Sequence, residues 1–189
     1  MSLRRVVAAT VLSFSLAGCG YNSIQRYDEQ AESAKKQISV MLQRRADLIP
    51  NLVATVKGYA AHEADVLTKV TEARAGVKSA VESGDLKQMA SANDQLTGAL
   101  RGLMVSVEAY PQLKADQTFL RLQDELAGTE NRIAVARTDY NGAVQKYNAY
   151  IRQFPQVVTA KVTRAKPREY FNATPGSEAV PTVDFGKKQ

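Results

Sequence analysis

The sequence predicts an all-α protein, an antiparallel up-and-down four-helix bundle followed by an irregular C-terminal tail. Three observations lead there. Apolar or small residues recur with a 3,4 alternation from Ile24 to Phe154, the seam expected of packed helices. Glycine and proline are scarce before residue 155, and tryptophan is absent. No strand-like alternation competes anywhere in this region. At 189 residues, the chain is ample for one hydrophobic core.

The first seam runs through Ile24, Tyr27, Ala31, Ala34, Ile38 and Met41. After Pro50 it resumes at Leu52, Val56 and Tyr59, then at Val66, Val70, Ala73 and Val77. Ser83-Gly84-Asp85 breaks the pattern. A third segment carries Leu86, Met89, Leu96, Leu100, Leu103 and Val107 and ends at Tyr110-Pro111. A fourth runs through Phe119, Leu122, Leu126, Ile133, Ala136, Tyr140, Ala143, Tyr147, Tyr150 and Phe154, stopping before Pro155. Asn141 and Asn148 flank this last seam seven residues apart, each after a tyrosine, and read as polar residues that fix helix register.

The first turn has two candidate positions. At Asp47–Pro50, Asp47 would be an N-cap and Pro50 would sit in a first turn, where proline is tolerated. Near Gly58–His62, Gly58 would end one helix while Glu63 and Asp65 open the next. Length favours the later position. At 1.5 Å per residue the last helix spans about 60 Å and the third about 35 Å. The far end of the last helix, rich in Tyr147, Tyr150 and Phe154, therefore needs an apolar partner. A first helix kinked at Pro50 and running to residue 58 brings Ile24 and Tyr27 there. Short turns then impose the up-down-up-down order.

Residues 155–189 change character, with Pro155, Pro167, Pro175 and Pro181 and no sustained helical period. Lys161, Arg164, Lys166 and Arg168 form a basic run, expected to be solvated tail, with lipid head groups as the alternative contact. Tyr170-Phe171 and Val183-Asp184-Phe185 carry enough apolar mass to dock as extended segments.

The chain opens with Arg4-Arg5, a short apolar run from Val6 to Leu16, and Ala17-Gly18-Cys19. These are the parts of a secretory signal peptide over residues 1–18. The apolar run is short for a bilayer span, which needs roughly 20 residues. The tetrapeptide LAGC resembles the lipobox of bacterial lipoproteins, whose cysteine is lipidated and becomes the first mature residue. Cys19 is the only cysteine and stands where that motif requires it. Gly20 follows, where an aspartate commonly retains lipoproteins at the inner membrane. The expected location is thus the cell envelope, on the outer membrane facing the periplasm if the host has two membranes. Loss of residues 1–18 lowers Lys+Arg from 25 to 23 against 19 acidic residues, taking the net charge from +6 to +4.

Two stretches resemble a known family. QRRADLIPNLVATVKGYAAHE, Gln43 to Glu63, is similar to the signature of the LemA family, in which RR-x-DLIPNLV, VKGY and a following HE recur. ARTDYNGAVQKYNAYIRQFP, Ala136 to Pro155, resembles the family's second signature of spaced YN pairs ending in FP. The likeness covers residues 21 to 155 and, more loosely, the tail through Phe185. One departure is the basic KVTRAK, where family members often carry a more apolar stretch. The resemblance implies a four-helix antiparallel bundle, residues 19–154, attached to the envelope by its N-terminus. It implies no established biochemical activity, and a membrane metalloprotease among the candidate partners.

The catalytic inventory is thin, and no enzyme is expected. His62 is the only histidine, so with Cys19 carrying lipid no usual zinc set can be assembled. HEADV lacks the second histidine of a zincin motif, and no G-x-S-x-G elbow accompanies His62. Neither a phosphate-cradling glycine loop nor a clustered basic face is present, so no cofactor, small-molecule substrate or nucleic acid is expected. The candidate interaction residues crowd around the proline: Arg44, Arg45, Asp47, Asn51, Lys57, His62 and Glu63. Arg44 and Asp47, three apart, are expected to pair. Arg45 falls where the seam asks for an apolar residue, and Asn51 is placed to answer the carbonyl that Pro50 frees at Ala46. His62 is either a pH-sensitive contact or a hydrogen-bonded structural histidine. The expected function is that of a membrane-anchored, non-enzymatic envelope scaffold or adaptor. The alternatives are an unrecognised envelope hydrolase and an accessory factor of a membrane protease.

Overall fold

Pro50 does not stop the helix that contains it. In the computed structural model, which describes residues 3–60 and 62–172 and side chains from Gly20 onward, helix α1 runs from Leu3 to Tyr59 with Pro50 inside. The first turn therefore follows Tyr59, the later of the two positions. It is followed by α2 (Ala64–Ser83), α3 (Leu86–Val107), the short α4 (Pro111–Lys114), α5 (Gln117–Tyr150) and α6 (Gln156–Val162). Every regular element among the described residues is an α-helix.

The chain divides into two compact units. The first comprises α1 up to Leu48 together with Arg121–Phe171, and the second contains Ile49–Leu120. In the second unit, the break at Ser83-Gly84-Asp85 has a local cause. Gly84 takes φ 68°, a left-handed conformation that costs glycine nothing. Asp85 then caps α3 by accepting from the backbone N–H groups of Lys87 (2.8 Å) and Gln88 (3.0 Å). The reversed chain packs α3 against α2, burying Leu67, Val70 and Val77 on one helix and Met89, Leu96, Leu100 and Leu103 on the other. Tyr59, placed in the seam by its spacing, is 43% exposed. Its hydroxyl instead donates to Asp116 (3.0 Å), which also caps α5 through the amides of Thr118 and Phe119.

The first unit confirms the predicted partners of the aromatic end. Ile24, Tyr147, Ile151 and Ala160 form a buried cluster with Tyr27 and Tyr150 against it, and the two tyrosine rings lie 5.0 Å apart. Phe154 does not join them. Helix α5 ends at Tyr150, so Ile151 takes the buried position and Phe154 is 84% exposed.

The tail departs from the irregular chain expected after Pro155. Gln156–Val162 is helical, with Pro155 at its N-cap and Ala160 buried against Ile24 and Ile151. Seven residues are too few to display a period, and such a helix owes its existence to packing rather than propensity. It closes with Arg164 at φ 55°, where the Arg164 amide donates to Lys161 and the Ala165 amide to Ala160. That is the paired bonding of a left-handed helix cap, built here without glycine. Beyond it, Phe171 is buried in this unit. The second docking segment expected, Val183-Asp184-Phe185, lies outside the described residues.

Candidate functional site

The predicted interaction residues divide between the two units. In the first, Arg44 and Asp47 are both exposed on α1, but Asp47 accepts a hydrogen bond from Gln43 (2.8 Å) in place of the expected pairing with Arg44. Gln43 and Asp47 are four residues apart and stack on one helix face. Arg45 is 4% exposed and ion-paired with Glu130 of α5. The polar residue that interrupts the apolar seam is thus ion-paired across the helix interface, and its guanidinium is withdrawn from the surface.

In the second unit, Asn51 is exposed, and its carbonyl accepts from the Thr55 hydroxyl (2.9 Å). Lys57 is exposed and borders an open groove walled by Val53, Leu67, Thr68 and Thr71. His62 is exposed in the turn. Glu63 accepts a hydrogen bond from the Tyr110 hydroxyl (3.1 Å), which raises the phenol's pKa because ionisation would break that bond. Lys57, His62 and Glu63 thus lie at or beside one turn of this unit, whereas Arg45 is part of the other unit's interior.

The most developed polar arrangement was not among these residues. In the first unit, α5 holds the extended segment after α6 by its backbone. The Asn148 side-chain amide donates to the Arg168 carbonyl (2.9 Å) and accepts from the Arg168 amide (2.8 Å). Asn141 repeats the pattern on Phe171, at 3.0 and 2.8 Å. Between them, Tyr140 donates its hydroxyl to the Glu169 carbonyl (2.8 Å), and burial pushes its pKa upward. The side chain of Arg168 donates to both carboxylate oxygens of Asp28 (2.7 and 3.0 Å) and to Glu32 (2.9 Å). The hydrogen bond from Arg168 holds the Glu32 carboxyl below its ordinary value. Arg168 therefore leaves the solvated basic run to which its sequence neighbours assign it. Arg137 covers the Phe171 ring at 4.7 Å, closing the site.

Each asparagine offers one donor and one acceptor to one peptide, as a neighbouring β-strand would. Their seven-residue spacing is about 10.5 Å of helix, close to the roughly 9 Å that three residues of polyproline-II chain cover per turn. The signal was present in the sequence as Tyr140-Asn141 and Tyr147-Asn148, with Pro167 opening the segment they hold. Chemically this is a grip on main chain, with no nucleophile and base brought together. Among the described residues no group of three or more His, Cys, Asp or Glu side chains is placed to hold a metal ion.

The LemA family profile matches residues 34–185, and the chain belongs to that family. It is 32% identical over 181 residues to magnetosome protein MamQ 2 of Paramagnetospirillum magneticum, covering 84% of this chain and 66% of that protein. Magnetosome protein MamQ of Magnetospirillum gryphiswaldense is 28% identical over 184 residues, with the same coverage. Protein LemA of Metamycoplasma hominis is 25% identical over 134 residues, covering 70% of this chain and 60% of that protein. The chain thus spans about two thirds of the length of the MamQ relatives.

Proposed function

We propose that this LemA family member is a lipid-anchored, non-enzymatic scaffold or adaptor of the cell envelope, built as an up-and-down four-helix bundle. The observation that carries the reading is the position of LAGC relative to the packed body. Gly20, the residue after Cys19, is already buried, and a Cβ added there would stand 3.3 Å from the Thr159 hydroxyl oxygen of α6. Acyl chains on Cys19 would join the folded protein without a linker, and two or more chains anchor firmly where one does not. In this reading the lipid supplies the attachment, and no helix among the described residues is long and apolar enough to cross a membrane. The relatives named as magnetosome proteins support a place at a membrane. With two membranes in the host, Gly20 after the cysteine favours the outer one, facing the periplasm.

The partner in this reading is another envelope protein, a membrane protease being one candidate. Of the exposed candidates, Lys57 and His62 in the second unit and Arg44 in the first are those through which the protein would meet it. Cys19→Ser should abolish incorporation of a palmitate analogue and leave the unprocessed precursor. Persisting acyl label on that variant would refute the anchor. Lys57→Ala with His62→Ala, and separately Arg44→Ala, should leave the thermal midpoint near wild type, since exposed substitutions usually change stability by no more than about 0.5 kcal/mol. At least one of these changes should remove a protein crosslinked to the wild-type chain in membranes. If every crosslink survives in both, or the purified protein turns over an envelope substrate, the adaptor reading fails.

A further inference from the structure

Helix α6 turns an apolar edge to solvent. Val158 and Val162 are four residues apart and share a face, about 160–200° around the helix from Ala160. Ala160 is buried against Ile24, Tyr147 and Ile151, so the two valines point away from the protein. Val162 is 80% exposed, Val158 56% and Phe154, just before the helix, 84%. Three large apolar side chains this open within residues 154–162 ask for an occupant.

The charges beside them say which. Lys161, Arg164 and Lys166 are exposed, and residues 154–168 contain no aspartate or glutamate. Among the described residues none of these three cations is ion-paired, whereas Arg168, the next in the run, is held by Asp28 and Glu32. Apolar side chains edged by lysine and arginine match a membrane interface, where the first enter the acyl boundary and the second meet anionic head groups. The location agrees. Gly20 packs on Thr159 in the middle of α6, which puts Cys19 one residue from this helix.

We propose that Phe154, Val158 and Val162, with Lys161, Arg164 and Lys166, form a bilayer-docking surface for anionic phospholipid that seats the first unit on the membrane beside its anchor. This rests on the lipid-anchor reading for the position of the surface, while the surface's own chemistry can be tested apart from it. The chain contains no tryptophan, so Val162→Trp introduces a single tryptophan that can be excited beyond the tyrosine absorption band. The full-length protein carrying it is reconstituted with vesicles of phosphatidylethanolamine and phosphatidylglycerol containing lipids brominated high in the acyl chain. Its emission should shift to the blue and lose at least half its intensity. A Val40→Trp protein should remain unquenched, since Val40 is exposed on α1 about 30 Å along the helix from Gly20. Adding Lys161→Glu, Arg164→Glu and Lys166→Glu to the Val162→Trp protein should abolish the quenching without loss of helical content.

The mass of the purified chain reports lipidation independently. An unlipidated chain that is still quenched removes the anchor and keeps the docking surface. A lipidated, helical, vesicle-bound chain whose Val162→Trp fluorophore is unquenched overturns the docking surface and keeps the anchor. An unlipidated chain that shows neither binding nor quenching overturns both. If the fluorophore is unquenched by bromolipid yet shielded by an added envelope protein, the surface belongs to a protein partner and the proposal also falls.

Discussion

The two units differ in the polar interactions that hold each of them in shape. In the second, local caps shape the chain: Gly84 reverses it, Asp85 caps α3 two and three residues on, and Asp116 does the same for α5. Over longer range it has single hydrogen bonds from neutral tyrosine hydroxyls, Tyr59 to Asp116 and Tyr110 to Glu63. In the first, the polar interactions join residues far apart. Arg168 meets Asp28 across 140 positions, and Asn141 meets Phe171 across 30. Closing long loops costs entropy that only the final contacts repay. The first unit accordingly spends charge-assisted and two-point hydrogen bonds on the segment that closes it, while the second uses caps and single tyrosine hydrogen bonds.

If that contrast is right, the largest effect should come from Arg168→Ala. It removes three charge-assisted hydrogen bonds and leaves Asp28 and Glu32 facing each other one helical turn apart. Because both carboxylates are about a third exposed, the expected loss is about 2–3 kcal/mol rather than the full cost of breaking a buried pair. Denaturant titration measures the total. Hydrogen exchange should show residues 165–171 losing protection while α2 and α3 keep theirs. Equal loss in both units would erase the distinction.

Asn148→Ala should cost about 2 kcal/mol by orphaning the Arg168 amide and carbonyl. Asn148→Asp sharpens the point, since it keeps the acceptor and loses the donor, and should recover only part of that loss. An unchanged midpoint for Asn148→Ala would mean that water replaces the side chain without penalty.

Gly84→Ala tests the other side of the comparison. A Cβ at φ 68° is expected to cost about 1–2 kcal/mol. That loss should appear as faster exchange in α2 and α3, with the amides of Arg168 and Phe171 unaffected.

Acid should give the smallest effect. The carboxyl of Glu32 is held below its ordinary value of 4.5 by the hydrogen bond from Arg168. A depressed carboxyl contributes stability that is complete above the unfolded value and is lost as pH falls through the lower folded one. Between pH 5 and about pH 3 the side-chain amide resonances of Asn141 and Asn148 should therefore move before those of the Gly84 turn. Simultaneous movement would place the acid-sensitive group elsewhere.

Much of the fold was legible in the sequence because its causes are periodic or local. The seams marked the cores of both units, and Ser83-Gly84-Asp85 marked its turn. Helix-length matching selected the turn after residue 58 and paired Ile24 and Tyr27 with Tyr147 and Tyr150. Less of the candidate site was legible. Arg45 stood out as a polar residue in an apolar seam, but its partner Glu130 lies 85 residues on and shares no pattern with it. The two Tyr-Asn pairs are visible in the sequence, seven residues apart. That spacing matches an extended chain as well as a helix face, and nothing nearby in sequence names the chain that it grips.

By itself, the sequence determined the helical class, the Ser83-Gly84-Asp85 turn and the family, because backbone propensity, capping, a 3,4 seam and signature motifs are properties of neighbouring residues. Only the tertiary structure decided three further points: that residues 156–162 form a helix, that Arg168 leaves the basic run for Asp28 and Glu32, and that α6 exposes its valines. Each depends on which distant surface a short segment meets, and a segment of seven residues is too short for its own pattern to specify that surface.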